Sequence, residues 1–378
     1  MGAPELTGGR VLVTGASGFI GGRIVERLAS EQASVRALLR DFAGGVRIAR
    51  HPVELARADV TDLGAVCEAA TGCDVIIHCA YGTHGDAAER RAVTVEGTRN
   101  VLEAAVRTGA RRVVHLSTVM VYGVPSAPVL RETLPRRASG DAYGDAKLEA
   151  EELAFRYHRE RGLPVSIIQP TAVYGPFGLA WTERVLKQLR SGLVPLIDGG
   201  AGVCNAVYID DVAEAVLLAA ERNQAVGEAF LISGEPITYR DFYERFARML
   251  GGQRTVPMSA DEVIDRWREK RRRKELVSRR ILHGLGGTRP GEALIQLAER
   301  AELWLAARLP DRARASDPVH LPDPVSVMLQ AQFATASTEK ARQLLGWEPS
   351  FDFETGAHLT EQWARWANLV PPSPHPLR

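Results

Sequence analysis

The sequence predicts an α/β protein, a doubly wound parallel sheet with a smaller, mostly helical C-terminal domain. Three observations carry that prediction. Short apolar segments alternate with amphipathic stretches through the first half of the chain, as the strands and crossover helices of a parallel sheet do. A glycine-rich turn, Gly15-Ala16-Ser17-Gly18-Phe19-Ile20-Gly21, joins the first apolar segment to the first amphipathic one. The alternation then loosens after Gly175-Pro176. At about 150 residues per domain, a chain of 378 residues allows two.

Each element follows from its local pattern. Strands are expected at 11–14, 35–39, 53–55, 75–79, 113–117 and 165–169, where β-branched and aliphatic residues run together. Helices are expected at 20–30, 63–70, 96–108 and 146–161. Right-handed crossovers place the strand ends, and any ligand, along one edge of such a sheet. Further on, the pattern reads as a helix at 181–190, a strand at 206–209, a helix at 211–221 and a strand at 229–232. The first domain is therefore drawn as 1–175 with returning segments near 203–233, and the second as 176–378. The second holds a helical insertion at about 259–325. Its first helix carries a basic run from Arg266 to Lys274, and its second sets Leu294, Leu297, Ala301 and Leu305 on one face. A proline-rich loop at 310–324 follows, then a helix at 338–345.

Composition narrows the function. With 47 basic and 46 acidic residues the net charge is +1, so no global field draws in nucleic acid or an anionic membrane. No apolar run approaches the ~20 residues that span a bilayer, and residues 1–10 lack the apolar core of a secretory signal. Cys67, Cys73, Cys79 and Cys204 form no Cys-x-x-Cys pair, and the nine histidines show no ligand spacing. The expectation is a cytoplasmic protein without metal that acts on a small molecule and binds neither nucleic acid nor membrane.

The glycine turn itself carries chemistry. Small residues at this spacing let the backbone approach a pyrophosphate, and the following helix points its N-terminal N–H groups at that anion. This indicates a dinucleotide site of Rossmann type. A second feature is Tyr143-Gly144-Asp145-Ala146-Lys147, whose Tyr and Lys lie four apart and share a helix face. An ammonium beside a phenol is expected to lower its pKa, so that Tyr143 exchanges a proton with a carbonyl or hydroxyl oxygen while hydride moves. Third, Ser117-Thr118 close a strand, where a hydroxyl points into the cleft and meets the reacting oxygen.

Together these residues resemble the extended short-chain dehydrogenase/reductase superfamily, in its NAD-dependent epimerase/dehydratase-like branch. Further matching elements are Asp59-Val60, His78-Cys79-Ala80, Val95-Glu96-Gly97-Thr98, Gln169-Pro170-Thr171-Ala172-Val173-Tyr174-Gly175-Pro176, Val207-Tyr208-Ile209-Asp210-Asp211 and Leu345-Gly346-Trp347-Glu348-Pro349. The resemblance covers about residues 9–258 and 333–368. It implies that Thr118, Tyr143 and Lys147 are the catalytic trio. It implies a cofactor turn at Gly15, Ser17, Gly18, Phe19, Ile20 and Gly21, with Ser117, Tyr143 and Lys147 also on the cofactor. Asp59 and Val60 would contact its adenine, Cys79, Ala80 and Tyr81 its nicotinamide ribose, and Pro170, Thr171 and Val173 its carboxamide. By the same analogy the helices at 96–108 and 146–161 pair two copies into a homodimer.

Departures from the branch sharpen the reading. Leu39 stands where NAD-specific members carry an acid, and Arg40 follows it, which favours NADP over NAD. Asp41 offers the opposing choice. Val119-Met120 replace the Asp-Glu pair of dehydratases, so water elimination is rejected. Cys204-Asn205-Ala206 lack the arginine that nucleotide-sugar epimerases place on a diphosphate, and Thr94 replaces the branch's asparagine. The run 266–274 reads either as a solvated face or as a lid meeting an anionic substrate. Pocket candidates are Tyr81, His84, Met120, Tyr174, Trp181 and Asn205, a set suited to a hydroxylated ring or a bulky apolar ketone. The leading expectation is an NADP(H)-dependent ketoreductase or dehydrogenase; the alternative is a nucleotide-sugar epimerase with tightly held NAD. A non-catalytic cofactor sensor is set aside because the Tyr/Lys pair is retained.

Overall fold

The computed structural model describes residues 4, 6–252, 254–284 and 318–372, with backbone alone at 273–284. In chain order the elements are β1 (Arg10–Thr14), α1 (Phe19–Ser30), β2 (Ser34–Leu39), β3 (Glu54–Arg57), α2 (Leu63–Ala70), β4 (Val75–His78), α3 (Ala87–Arg91), α4 (Gly97–Thr108), β5 (Arg112–Leu116) and β6 (Val129–Leu130). There follow α5 (Ala142–Arg161), β7 (Val165–Pro170), β8 (Ala172–Tyr174), α6 (Arg184–Ser191), β9 (Val194–Ile197), β10 (Val203–Cys204), β11 (Ala206–Tyr208), α7 (Ile209–Glu221) and β12 (Ala229–Ile232). The described chain closes with β13 (Ile237–Thr238), α8 (Tyr239–Met249), β14 (Thr255–Met258), α9 (Ala260–Gly284), α10 (Pro324–Gln330), β15 (Thr335–Ala336), α11 (Glu339–Leu345) and α12 (Phe353–Trp366).

The chain divides into two compact units. The first comprises Met1–Thr182, Asn205–Ile237 and Ala334–Thr360, the second Glu183–Cys204, Thr238–Phe333 and Glu361–Arg378. The first unit holds a seven-stranded sheet in the order β12-β7-β5-β4-β1-β2-β3. Neighbouring strands run parallel, with register pairs such as Val11↔Val35, Val11↔Val75 and His78↔His115. This is the doubly wound Rossmann-type architecture that the alternation predicts. The interior strands are buried along their length, as Val-, Ile- and Leu-rich strands covered on both faces must be.

Local chemistry sets where the helices begin and end. Asp62 caps α2 by accepting from the Ala65 N–H, and Asp141 caps α5 by accepting from the Gly144 N–H at 2.7 Å. That cap starts α5 at Ala142, four residues before the expected start, so Tyr143 lies in its first turn. Gly162 ends the helix with φ +66°, a conformation glycine adopts without strain. On one face of the sheet, α2, α4 and α5 bury Val66, Val101, Leu102 and Leu153 against Leu12, Ile76, Val113 and Val165. On α1, Arg23 pairs with Asp210 and Arg27 with Glu214 at 2.6 Å, both on α7.

Several expected boundaries shift. The third strand spans Glu54–Arg57 rather than 53–55. The helix expected at 181–190 is a π-helical turn, Leu179–Glu183, followed by α6. Pro324 does not end a loop but opens α10 at its first position, where a missing N–H costs nothing, and Asp323 caps the Ser326 N–H. The helix expected around Leu294, Leu297, Ala301 and Leu305 and the loop at 310–317 lie outside the described residues. The second unit pairs β9 with β14 and buries Ile197, Met258, Val263 and Val327 in a small core of its own. Within the basic run, Arg266 pairs with Glu262 along α9, and the Arg271 guanidinium lies 5.3 Å over the Trp267 ring. No helix among the described residues is long and apolar enough to cross a membrane.

The closing segment of the first unit is anchored by Trp347, which is 1% exposed and donates from Nε1 to the Asp211 carbonyl at 2.8 Å. Replacing Trp347 with Ala should lower the unfolding free energy by about 3–5 kcal/mol. Denaturant titration checks this, and a loss under about 1 kcal/mol would contradict such an anchor.

Candidate active site

The site lies at the C-terminal ends of the parallel strands of the first unit, where ligands gather in open α/β sheets. Gly15 follows β1 with φ +65° and packs so tightly against β4's exit that a Cβ would sit 2.7 Å from the Ala80 backbone nitrogen. A Cβ on Gly21 would meet the Gly15 carbonyl oxygen at 2.3 Å. Among the described residues no side chain caps the N-terminus of α1 at Gly18, so its first N–H groups are left for an anion. Exposed Ser17 and half-buried Phe19 and Ile20 complete this turn. A backbone cradle closed to every larger side chain, at the mouth of a twelve-residue helix, fits the pyrophosphate of a dinucleotide.

Beside it lie the three candidate chemical groups. Thr118 follows β5 and caps the short helical turn Val119–Tyr122 by accepting from the Met120 N–H at 3.3 Å. Tyr143 and Lys147 project from one face of α5. The Lys147 ammonium is 2% exposed and donates to the Leu116 carbonyl at 2.7 Å. Tyr81 joins them: its ring meets Tyr143 edge-on, with centroids 5.6 Å apart, and the Lys147 Nζ lies 5.4 Å from its centroid. Met120 packs on the same helix turn, its Cβ 3.3 Å from where a Gly144 Cβ would stand.

The electrostatics correct one expectation. The Tyr143 ring is 39% exposed, but its hydroxyl end is buried, and that burial pushes the phenol above its ordinary value. The Tyr81 phenol adds to the rise, while the Thr118 hydrogen bond opposes it. Lys147 does not lower it: the ammonium is turned to the Leu116 carbonyl and the Tyr81 face, and burial depresses its own pKa to about 8. Beneath it lies a buried histidine pair, His78 and His115, with ring centroids 5.4 Å apart. His78 bridges the Thr14 and Thr98 hydroxyls at 2.7 and 2.9 Å, and burial followed by the Lys147 charge holds it down to about 3.

The other predicted residues fall into two groups. Cys79, Ala80 and Ser117 lie at strand ends adjoining this site, Pro170 and Thr171 at the end of β7 and Val173 within β8, with Thr171 bonded twice to the Ile232 carbonyl. Val60 is buried beneath Gly97. Asp59 holds an Asx turn by accepting from the Thr61 N–H and hydroxyl. Arg40 is exposed and forms no ion pair among the described residues, whereas Asp41 caps the turn Phe42–Gly45 by accepting from the Ala43 N–H. Tyr174, by contrast, is 1% exposed in an aromatic cluster with Tyr208 and Phe353, its hydroxyl donating to the Phe353 carbonyl. Asn205 is spent on the Ala334 carbonyl and the Ala336 N–H, both at 2.9 Å. His84 is exposed and bonded to Thr83, and Trp181 is half-buried in its π-helical turn.

Sequence reasoning misses Glu151, Gln169 and Tyr122. Glu151 continues the spacing Tyr143, Lys147, Glu151 along one helix face, a signal open to inspection in the sequence.

Comparison with known proteins identifies the family and the fold. The model of the NAD dependent epimerase/dehydratase family matches residues 11–233, more than half of the chain. A ketoreductase of Stigmatella aurantiaca, named for a farnesyl dihydroquinoline oxide substrate, is 30% identical over 238 residues, covering 62% of this chain and 71% of that protein. A 3 beta-hydroxysteroid dehydrogenase/Delta 5-->4-isomerase of Mycobacterium tuberculosis is 30% identical over 277 residues, covering 68% and 74%. The fold is shared with a dTDP-glucose 4,6-dehydratase of Streptomyces venezuelae solved with NAD, at TM-score 0.68 and 23% identity over 94% of this chain and 97% of that one.

The depressed Lys147 titration is directly measurable. Lysine side-chain NMR should show one resonance with a midpoint of about 8, while surface lysines titrate near about 10.4. Because the folded pKa lies below the unfolded one, this group adds stability as pH rises through that window. A Lys147 midpoint among the surface residues would remove the buried ammonium from this description.

Proposed function

The chain belongs to the NAD dependent epimerase/dehydratase family, and from that premise we propose that it is an NADP(H)-dependent ketoreductase or dehydrogenase. Its substrate would be a secondary alcohol/ketone pair in a sugar-like or bulky cyclic molecule. The observation that carries the reading is the meeting of Tyr143 with a buried ammonium around one ring: Tyr81 lies edge-on to Tyr143 at 5.6 Å, and the Lys147 Nζ lies 5.4 Å from the same Tyr81 centroid. The nicotinamide supplies or accepts the hydride when it is bound. Everything else is done by this chain's own groups. Tyr143 holds a proton at its phenolic oxygen, and its raised pKa keeps that proton in place at neutral pH, ready for a developing alkoxide. Thr118 fixes the phenol's direction and offers a second hydroxyl to the same substrate oxygen. Lys147 keeps positive charge near that oxygen below about pH 8 and would hold the ribose hydroxyls of the cofactor.

The preference for NADP(H) is supported by the division of labour after β2. Asp41, the residue that would hold two ribose hydroxyls, is used as a helical cap, and Arg40 is exposed at the surface without an ion pair among the described residues. Such a guanidinium suits a 2′-phosphate, with which it forms charge-assisted bonds. A ketone rather than a diphosphate sugar is supported by Asn205, whose amide is committed to the backbone at 334–336.

Two substitutions test the reading. Tyr143→Phe should cut kcat by about 10²–10⁴-fold and leave cofactor affinity unchanged; retained turnover would take Tyr143 out of the reaction. Arg40→Ala should weaken NADP(H) binding by about 10- to 100-fold, the equivalent of about 1.5–3 kcal/mol, and leave NAD(H) binding as it was. Equal losses for both cofactors would dissolve the proposed preference.

A further inference from the structure

We propose that Glu151 is a positioning residue for this reaction: its buried carboxylate locks the strand end that carries Thr118 to the helix that carries Tyr143 and Lys147. The inference rests on the reading that Thr118, Tyr143 and Lys147 are the reacting groups.

Glu151 is wholly buried on α5, one turn beyond Lys147 and two beyond Tyr143. An isolated buried carboxylate is costly and persists only when its lone pairs are engaged. Here they are. Ser117, the residue before Thr118, donates its hydroxyl to Oε2. Gln169, one residue before Pro170, donates Nε2 to both carboxylate oxygens at 2.9 and 3.0 Å. Arg136 forms an ion pair with Oε1, its guanidinium lying over the Phe155 ring at 5.1 Å. The Gln169 amide is oriented in turn by the Tyr122 hydroxyl, which donates to Oε1 at 2.8 Å. Tyr122 ends the helical turn that Thr118 begins. One carboxylate therefore gathers the exits of β5 and β7 onto α5. Releasing it frees the register between the Thr118 hydroxyl and the Tyr143 phenol.

The same carboxylate has an electrostatic role. Facing Lys147 are Cys79 and His78 from β4 and its exit, His115 from β5, the Tyr81 ring and, on its own helix, Glu151. Both histidines are held neutral by burial. Burial works against the Lys147 ammonium, and Cys79 and then Glu151 work for it. Arg136 is the charged group facing Glu151 from the loop before α5.

Glu151→Gln keeps the shape and removes the charge. With positioning and charge both impaired, kcat should fall about 10- to 100-fold, the cost of an ångström-scale misplacement, at unchanged cofactor affinity. The Lys147 NMR midpoint in the cofactor-free protein should move to lower pH, and the alkaline limb of kcat with it. Ser117→Ala breaks the tie to the strand but keeps the charge, so kcat should fall while the Lys147 midpoint stays. It also stands as the test if Glu151→Gln does not fold. Wild-type kcat in Ser117→Ala, or an unmoved Lys147 midpoint in folded Glu151→Gln, overturns the proposal. Because the midpoint is read without turnover, it stands or falls apart from the Tyr143→Phe result, which tests the catalytic reading itself.

Discussion

The parallel pairing of β1, β4, β5 and β7 places four C-terminal strand ends side by side, and the candidate site is made from the residues that leave them. Gly15 leaves β1, Cys79 leaves β4, Ser117 and Thr118 leave β5, and Thr171 leaves β7. The register holds His78 opposite His115 and His115 opposite Ile167. A slip of one residue in any of these strands would turn Thr14, His78 or His115 to the opposite face. Gly15 makes the arrangement possible at closest range, because a single Cβ would collide with the backbone at Ala80. Packing, not glycine's flexibility alone, makes that residue irreplaceable.

On this scaffold the protein assembles a set of buried ionisable groups, His78, His115, Lys147 and Glu151. A low local dielectric strengthens each contact and also raises the cost of any charge left without a partner. His78 and His115 respond by staying neutral. Lys147 keeps its proton up to about pH 8 with help from a carbonyl, an aromatic face and a carboxylate one turn away. Glu151 keeps its own place through a serine, a glutamine and an arginine. The groups that face the cleft are thus held by a second tier of buried polar residues, and the precision of the first depends on the completeness of the second.

Much of this architecture is legible in the chain alone. Alternating apolar and amphipathic segments announce the sheet because a parallel strand covered on both faces has no choice of composition. The glycine turn, the Tyr143/Lys147 spacing and the strand-end Ser117-Thr118 are local signals, and the structure brings all three into one site. Other assignments fail as local signals do. Tyr174 and Asn205 follow strand ends, yet one is stacked in an aromatic core and the other clamps the segment at 334–336. Being at a strand end says that a side chain is near the edge of the sheet; it does not say which way the backbone turns next.

The sequence by itself determined the fold class, the glycine turn and the choice of Thr118, Tyr143 and Lys147 as candidates, because these rest on periodicity and on short-range spacing along one chain. Only the tertiary structure decided the charge state of the phenol and the company kept by the ammonium. Proximity at four residues' separation predicts a lowered Tyr143 pKa, but desolvation depends on atoms brought in by the tertiary fold, and it prevails. The tertiary structure also decided that Glu151 meets Ser117 and that Tyr122 meets Gln169. Burial is a property of the surroundings, and here those surroundings come from residues 34 and 47 positions apart in the chain.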